Sequence, residues 1–159
     1  MSRLFQEEKA VPLTMRVLLG LAFLLLVPLA IAQNNLGELL DAGAKRVSAE
    51  EFRGEVTQHA VVGDIPWGGG RMELVYTNSG VIQGSVNLTG ASSFGAPYIS
   101  AIDGVWNIDD SGRICASMLI GRTSLPFRCQ YWFKYKDDYF IADADSDRGA
   151  KLFRRTVKQ

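Results

Sequence analysis

The chain has 159 residues with 17 basic and 17 acidic side chains and a single histidine, enough for one domain and a processing segment. This balance argues against a nucleic-acid binder, which carries a strongly basic face. One histidine and two cysteines leave little for a triad or a closed metal centre.

Val17 to Ala32 reads VLLGLAFLLLVPLAIA, without a charged side chain. Arg16 precedes it, Ala30-Ile31-Ala32 ends it with a small-x-small pattern, and Gln33-Asn34-Asn35 is abruptly polar. These features predict a Sec-type signal peptide over 1–32 with cleavage after Ala32. Glu7 and Glu8 are unusual in such a segment, so Met15 is an alternative start with a compact Met-Arg head. The competing reading is an uncleaved anchor. The run falls short of the ~20 residues needed to span hydrocarbon, Pro28 interrupts it, and no basic cluster follows until Lys45-Arg46. With no cysteine after Ala32, a bacterial lipoprotein is not expected. The expectation is a periplasmic or secreted product with no stable membrane span after processing. Cleavage removes three basic and two acidic groups, leaving 14 and 15 in the mature chain.

The mature part, 33–159, opens with Leu36, Leu39 and Leu40 between Gly37 and Gly43, the pattern of a helical turn that docks on the body. Ser48-Ala49-Glu50-Glu51 is a capping box, and Val47 with Phe52 occupies the hydrophobic-staple positions. A helix to about Thr57 or Gln58 follows, with Phe52 and Val56 on one face. After His59 the period changes to two. Met72, Leu74 and Tyr76 alternate with polar neighbours, Asn78-Ser79-Gly80 turns the chain, and Ile82, Val86 and Leu88 form the next inward row. Gly90 to Pro97 reads as a loop. Tyr98, Ile102, Trp106 and Ile108 share a face, Asp109 to Gly112 is turn chemistry, and Ile114, Ala116 and Met118 continue the pattern. A loop is expected at Gly121–Pro126. Then Phe127, Cys129, Tyr131, Phe133 and Tyr135 alternate with Arg128, Gln130, Lys134 and Lys136, Trp132 being the exception on the polar face. Asp137-Asp138 turns into Tyr139-Phe140-Ile141, and Leu152 to Val157 would close the sheet. The fold expected is mainly β: a small antiparallel β-barrel or strongly curved sheet with one N-terminal helix.

Cys115 and Cys129 both lie in the mature part. In an oxidising compartment an even pair reads as a disulfide, whose loop of about 15 residues is worth roughly 3 kcal/mol. The alternatives are a metal site, which lacks further ligands, and a redox pair, which normally uses Cys-x-x-Cys.

The stretch Ala42-Gly43-Ala44-Lys45-Arg46-Val47-Ser48-Ala49-Glu50-Glu51-Phe52 resembles the opening of a family of small exported proteobacterial proteins known as domain of unknown function, number 995. Trp67-Gly68-Gly69-Gly70, Gly104-Val105-Trp106, Gly112-Arg113-Ile114-Cys115 and Cys129 extend the resemblance over about residues 36–155. It implies a periplasmic or secreted β-rich domain with this disulfide and supplies no activity. Gly104-Val105-Trp106 is also similar to the Gly-x-Trp of lipocalin-like barrels, which carry it near their first strand, whereas here it falls mid-domain.

Candidate sites are sparse. His59 would need Glu55, four residues back, to act as a general base; the simpler role is that of a basic group at a helix end. Asp143, Asp145 and Asp147 alternate like the first ligands of a calcium loop, but Arg148 and Arg154 stand where Gly and Glu are required. Gly68-Gly69-Gly70-Arg71 lacks the ending of a phosphate loop. No catalytic residue, cofactor, metal or nucleic-acid partner is therefore expected. Trp132, with Arg128, Gln130, Lys134 and Lys136 on its face, and Trp67 at a turn suggest a contact strip for a small-molecule, glycan or protein ligand. The alternative is that a helix or the N-terminal segment covers Trp132. The function expected is a non-enzymatic binding module. The alternatives are an inhibitor of a secreted hydrolase such as a protease or lysozyme, presenting Gly90–Pro97 or Gly121–Pro126, and an enzyme using carboxylates and His59.

Overall fold

The computed structural model describes residues 34–66, 69–88 and 98–159. The signal-peptide reading of 1–32, Trp67 and the Gly90–Pro97 loop lie outside the described residues.

Asn35 caps helix α1 (Leu36–Asp41) by accepting the Glu38 amide, and Leu36 and Leu39 on its inner face are buried. Strand β1 (Lys45–Arg46) is two residues long. The capping box forms as expected: the Glu51 amide donates to Ser48 Oγ at 3.1 Å, and the Ser48 amide donates to Glu51 Oε2 at 2.7 Å. It starts helix α2 (Ala49–Glu51), which widens into a π-helical turn over Phe52–Val56. The docking helical turn and the helix expected after Ser48 are both present. The second stops before Thr57, which is extended, and Gln58 adopts a φ of 66°.

Eight strands follow: β2 (Ala60–Asp64), β3 (Gly70–Tyr76), β4 (Val81–Leu88), β5 (Tyr98–Ile108), β6 (Ile114–Ile120), β7 (Thr123–Tyr135), β8 (Asp138–Ala142) and β9 (Phe153–Lys158). Each pairs antiparallel with the next, and β9 pairs with β2, closing an up-and-down barrel. Val61, Met72, Leu74, Ile82, Val86, Ile102 and Trp106 face inward with Ile114 and Ile141, as period two requires. The helical segment carrying Phe52 plugs one end. The Phe52 ring meets Tyr76, Trp106 and Trp132 at centroid distances of 5.5, 5.3 and 5.0 Å. Trp106 Nε1 donates to Thr77 O at 2.9 Å, so the buried indole keeps a partner.

The facing of β7 is opposite to the sequence expectation. Trp132 is only 4% exposed and points into the barrel, whereas Phe133 and Phe140 point outward into a second apolar cluster with Leu36 and Leu39. Alternation alone does not tell inside from outside when both faces of a strand are covered. The outer cover is α1, held by hydrogen bonds from the Leu36 amide to Ala150 O and from the Gly37 amide to Arg148 O, at 3.0 and 2.7 Å. Arg148 also pairs with Asp41 at 2.6 Å.

The Gly121–Pro126 stretch is not a loop: Gly121 and Arg122 make a tight turn, and β7 begins at Thr123. Ala116 lies opposite Arg128 but Met118 opposite Leu125, so β7 carries one extra residue, a β-bulge. Beside it, Cys115 and Cys129 are directly paired across β6 and β7 and form the expected disulfide, with Cα atoms 3.9 Å apart. On its other side β7 pairs with β8 only from Tyr131 to Tyr135. Among the described residues, Thr123 to Gln130 has no strand partner on that side, which leaves a gap in the wall.

Candidate functional site

Behind that gap the barrel is hollow. A cavity of about 250 Å³ is lined by Met72, Leu74, Ile114, Met118, Trp132 and Ile141, with Pro66, Leu125, Pro126, Arg128 and Gln130 toward solvent. Eight-stranded barrels are either filled by their own side chains or hold one small ligand. This one is filled at its helical end by Phe52 and the aromatic rings around it. Nearer the opening, small and flexible residues (Ala116, Met72, Met118) leave space.

Arg155 is the charged group of the cavity's buried wall. It lies on β9 between Phe153 and Val157, is 3% exposed, and faces the chamber. Its Nη1 donates to Asp64 O at 3.1 Å and to Arg154 O at 2.8 Å, whereas its buried Nη2 has no hydrogen-bond partner among the described residues. Gly63, the residue opposite in β2, makes room for it: a Cβ there would stand 2.4 Å from Nη1 and 2.8 Å from Cδ. Burial lowers the guanidinium pKa, and the nearby Tyr76 and Asp64 oppose that shift. The same burial raises the Tyr76 hydroxyl, which lines the cavity.

Of the six residues expected in a contact strip, Trp132, Arg128 and Gln130 line this cavity, Trp132 in its buried wall and Arg128 and Gln130 toward the opening. Trp132 as an exposed anchor is therefore corrected: its face of β7 is the inner face. Lys134 lies at the plugged end, where its Nζ and the Tyr139 hydroxyl both donate to Glu55 Oε2. Trp67 is outside the described residues. Lys134 and Arg128 thus belong to different ends of the barrel and do not form one patch.

Glu55 is engaged by Lys134 and Tyr139, so it is not the orienting partner proposed for His59. The three alternating aspartates diverge. Asp143 accepts from Gln130 Nε2, Asp145 pairs with Arg46, and Asp147 caps its own turn at the Gly149 amide. Asp109, Cys115 and Cys129 lie close enough to suggest a metal triad, but both sulfurs are in the disulfide and no thiolate is available. The tight turn at Gly121 also removes one of the two loops an inhibitor would present.

Arg155 was missed because Arg154-Arg155 reads as an exposed basic pair. The available signal was phase: Phe153 and Val157 fix the inward face of β9, and Arg155 falls on it. No family model matches the chain, and neither a curated protein nor a solved structure matches it.

Proposed function

We propose that this protein is an exported, non-enzymatic binding module that carries a small, largely apolar molecule inside its barrel. The observation that carries this reading is the chamber itself, an apolar hollow of about 250 Å³ reached through the gap beside β7. At about 30 Å³ per water-sized group it has room for roughly eight such groups, the body of a medium-length chain or a bicyclic ring. Convergent hydrolytic machinery is not part of the reading, because the titratable side chains lining the chamber are Tyr76, Arg128 and Arg155, with no carboxylate, histidine or thiol among them. Export is supported by the charge-free run Val17–Ala32 and by a disulfide suited to an oxidising compartment. Membership of the exported family of unknown function resembled above belongs to the same reading.

The test is calorimetric titration of the purified domain with octan-1-ol, octanoate, 2-naphthol and 2-naphthoate. At least one is expected to bind and to change tryptophan emission, since Trp132 lines the chamber. In Ala116→Phe, with its fold checked by circular dichroism, the new ring occupies the chamber and binding should weaken by about tenfold or more. No binding of any of the four would overturn the reading.

A further inference from the structure

The unpaired guanidinium inside the barrel identifies the class of ligand. We propose that the chamber's ligand is an amphipathic carboxylate, its head group received by Nη2 of Arg155 and its apolar body laid along Met72, Leu74, Ile114 and Met118. This inference rests on the binding-module reading and specifies its ligand.

A buried charge without a direct ion-pair partner is costly, and proteins almost always pair it; Asp64 acts on Arg155 without forming such a pair. Among the described residues none of the six ion pairs involves Arg155. The side chain is nevertheless held in place. Two backbone carbonyls fix Nη1, and the chain opposite provides a glycine where any Cβ would collide with the guanidinium. A side chain so accommodated, on a residue that lines the cavity, with one amino group satisfied and the other buried without a partner among the described residues, is preorganised for an acceptor that arrives from outside. One positive charge and one free amino group match a monoanion with a compact oxygen pair. A carboxylate supplies that, with charge-assisted hydrogen bonds stronger than a neutral acceptor offers. Arg128, exposed near the opening, would favour entry of the same sign of charge. The rest of the buried lining is apolar apart from the Tyr76 hydroxyl and the Trp132 indole N–H, which suits a single polar head on an apolar body.

The experiment compares each carboxylate with the alcohol of the same skeleton, octanoate with octan-1-ol and 2-naphthoate with 2-naphthol, in the wild-type domain and in Arg155→Met. The methionine keeps much of the stem volume and removes the charge. In the wild type the carboxylates should bind roughly tenfold or more tighter than their alcohols, and Arg155→Met should abolish or reverse that preference while retaining alcohol binding. Equal affinity within each pair, unchanged by the substitution, would overturn the carboxylate assignment and leave the binding module standing. Failure of all four ligands would remove both. If Arg155→Met does not fold, carboxyl-labelled octanoate on the wild type decides by carbon NMR. Its bound carboxyl should stay ionised to a pH below its value in water; titration at or above the free value would overturn the assignment.

Discussion

Glu55 gathers two donors at the plugged end of the barrel, and its surroundings determine how stability responds to pH. The Lys134 ammonium and the Tyr139 hydroxyl lower its pKa, while burial, reinforced by the bond to Glu55, raises that of Tyr139. A carboxyl lowered on folding adds stability above its unfolded value, about 4.3, and that share is lost as pH falls through the folded value. A phenol raised on folding adds stability below about 10 and loses it as pH rises beyond. Glu55→Gln should therefore lower the urea midpoint near neutrality. The deficit should shrink toward acid pH, where the wild-type carboxyl is protonated. Some acid sensitivity will remain through Glu51 and Asp109, both also lowered by hydrogen bonds. A deficit that stayed constant from neutral to acid pH would assign Glu55 a packing role instead. With the Lys134–Glu55 pair partly exposed, the neutral effect should stay within about 1 kcal/mol.

At the scale of elements, β6 and β7 are held by more than their ladder. The disulfide closes a separation of 14 residues directly beside the bulge, and in the chain-entropy account such a link contributes about 2–4 kcal/mol. Reduction, or Cys115→Ala with Cys129→Ala, should lower the unfolding free energy by about that amount in denaturant titrations. A loss below about 1 kcal/mol would mean that the ladder alone fixes the register. Much at this scale was legible in the sequence. The capping box at Ser48, the turn at Asn78-Ser79-Gly80 and the inward rows of β3 to β6 follow from local chemistry and period two. The sidedness of β7 was not legible. Tyr131, Phe133 and Tyr135 look like a core row because they are one, but the cluster they join lies outside the barrel under α1. Six residues of helix bound from far along the chain decided which face became the interior. The hollow had no local signature either, because empty space depends on Met72 of β3 meeting Ala116 and Met118 of β6, strands that are not neighbours in the sheet.

For the whole molecule, consecutive antiparallel pairing gives a barrel in which each strand reaches its neighbour through a short connection, apart from the β4–β5 and β8–β9 links. The proposed export can be read on intact protein. Native mass spectrometry of the envelope fraction from the producing cell should show a chain starting at Gln33 with both cysteines oxidised. A chain retaining residues 15–32 would instead make it an anchored protein. A bound increment matching a small carboxylate would connect this measurement to the chamber. The gap beside β7 has a separate consequence for the protein in concentrated solution. An unpartnered strand flank is a template on which a second molecule can add, the first step toward edge-to-edge aggregation. Here that flank carries Pro126, which lacks an amide hydrogen, the register break of the bulge, and the charge of Arg128. All three are known deterrents to strand addition. The wall can therefore stay open to small molecules while offering a poor docking edge to another chain.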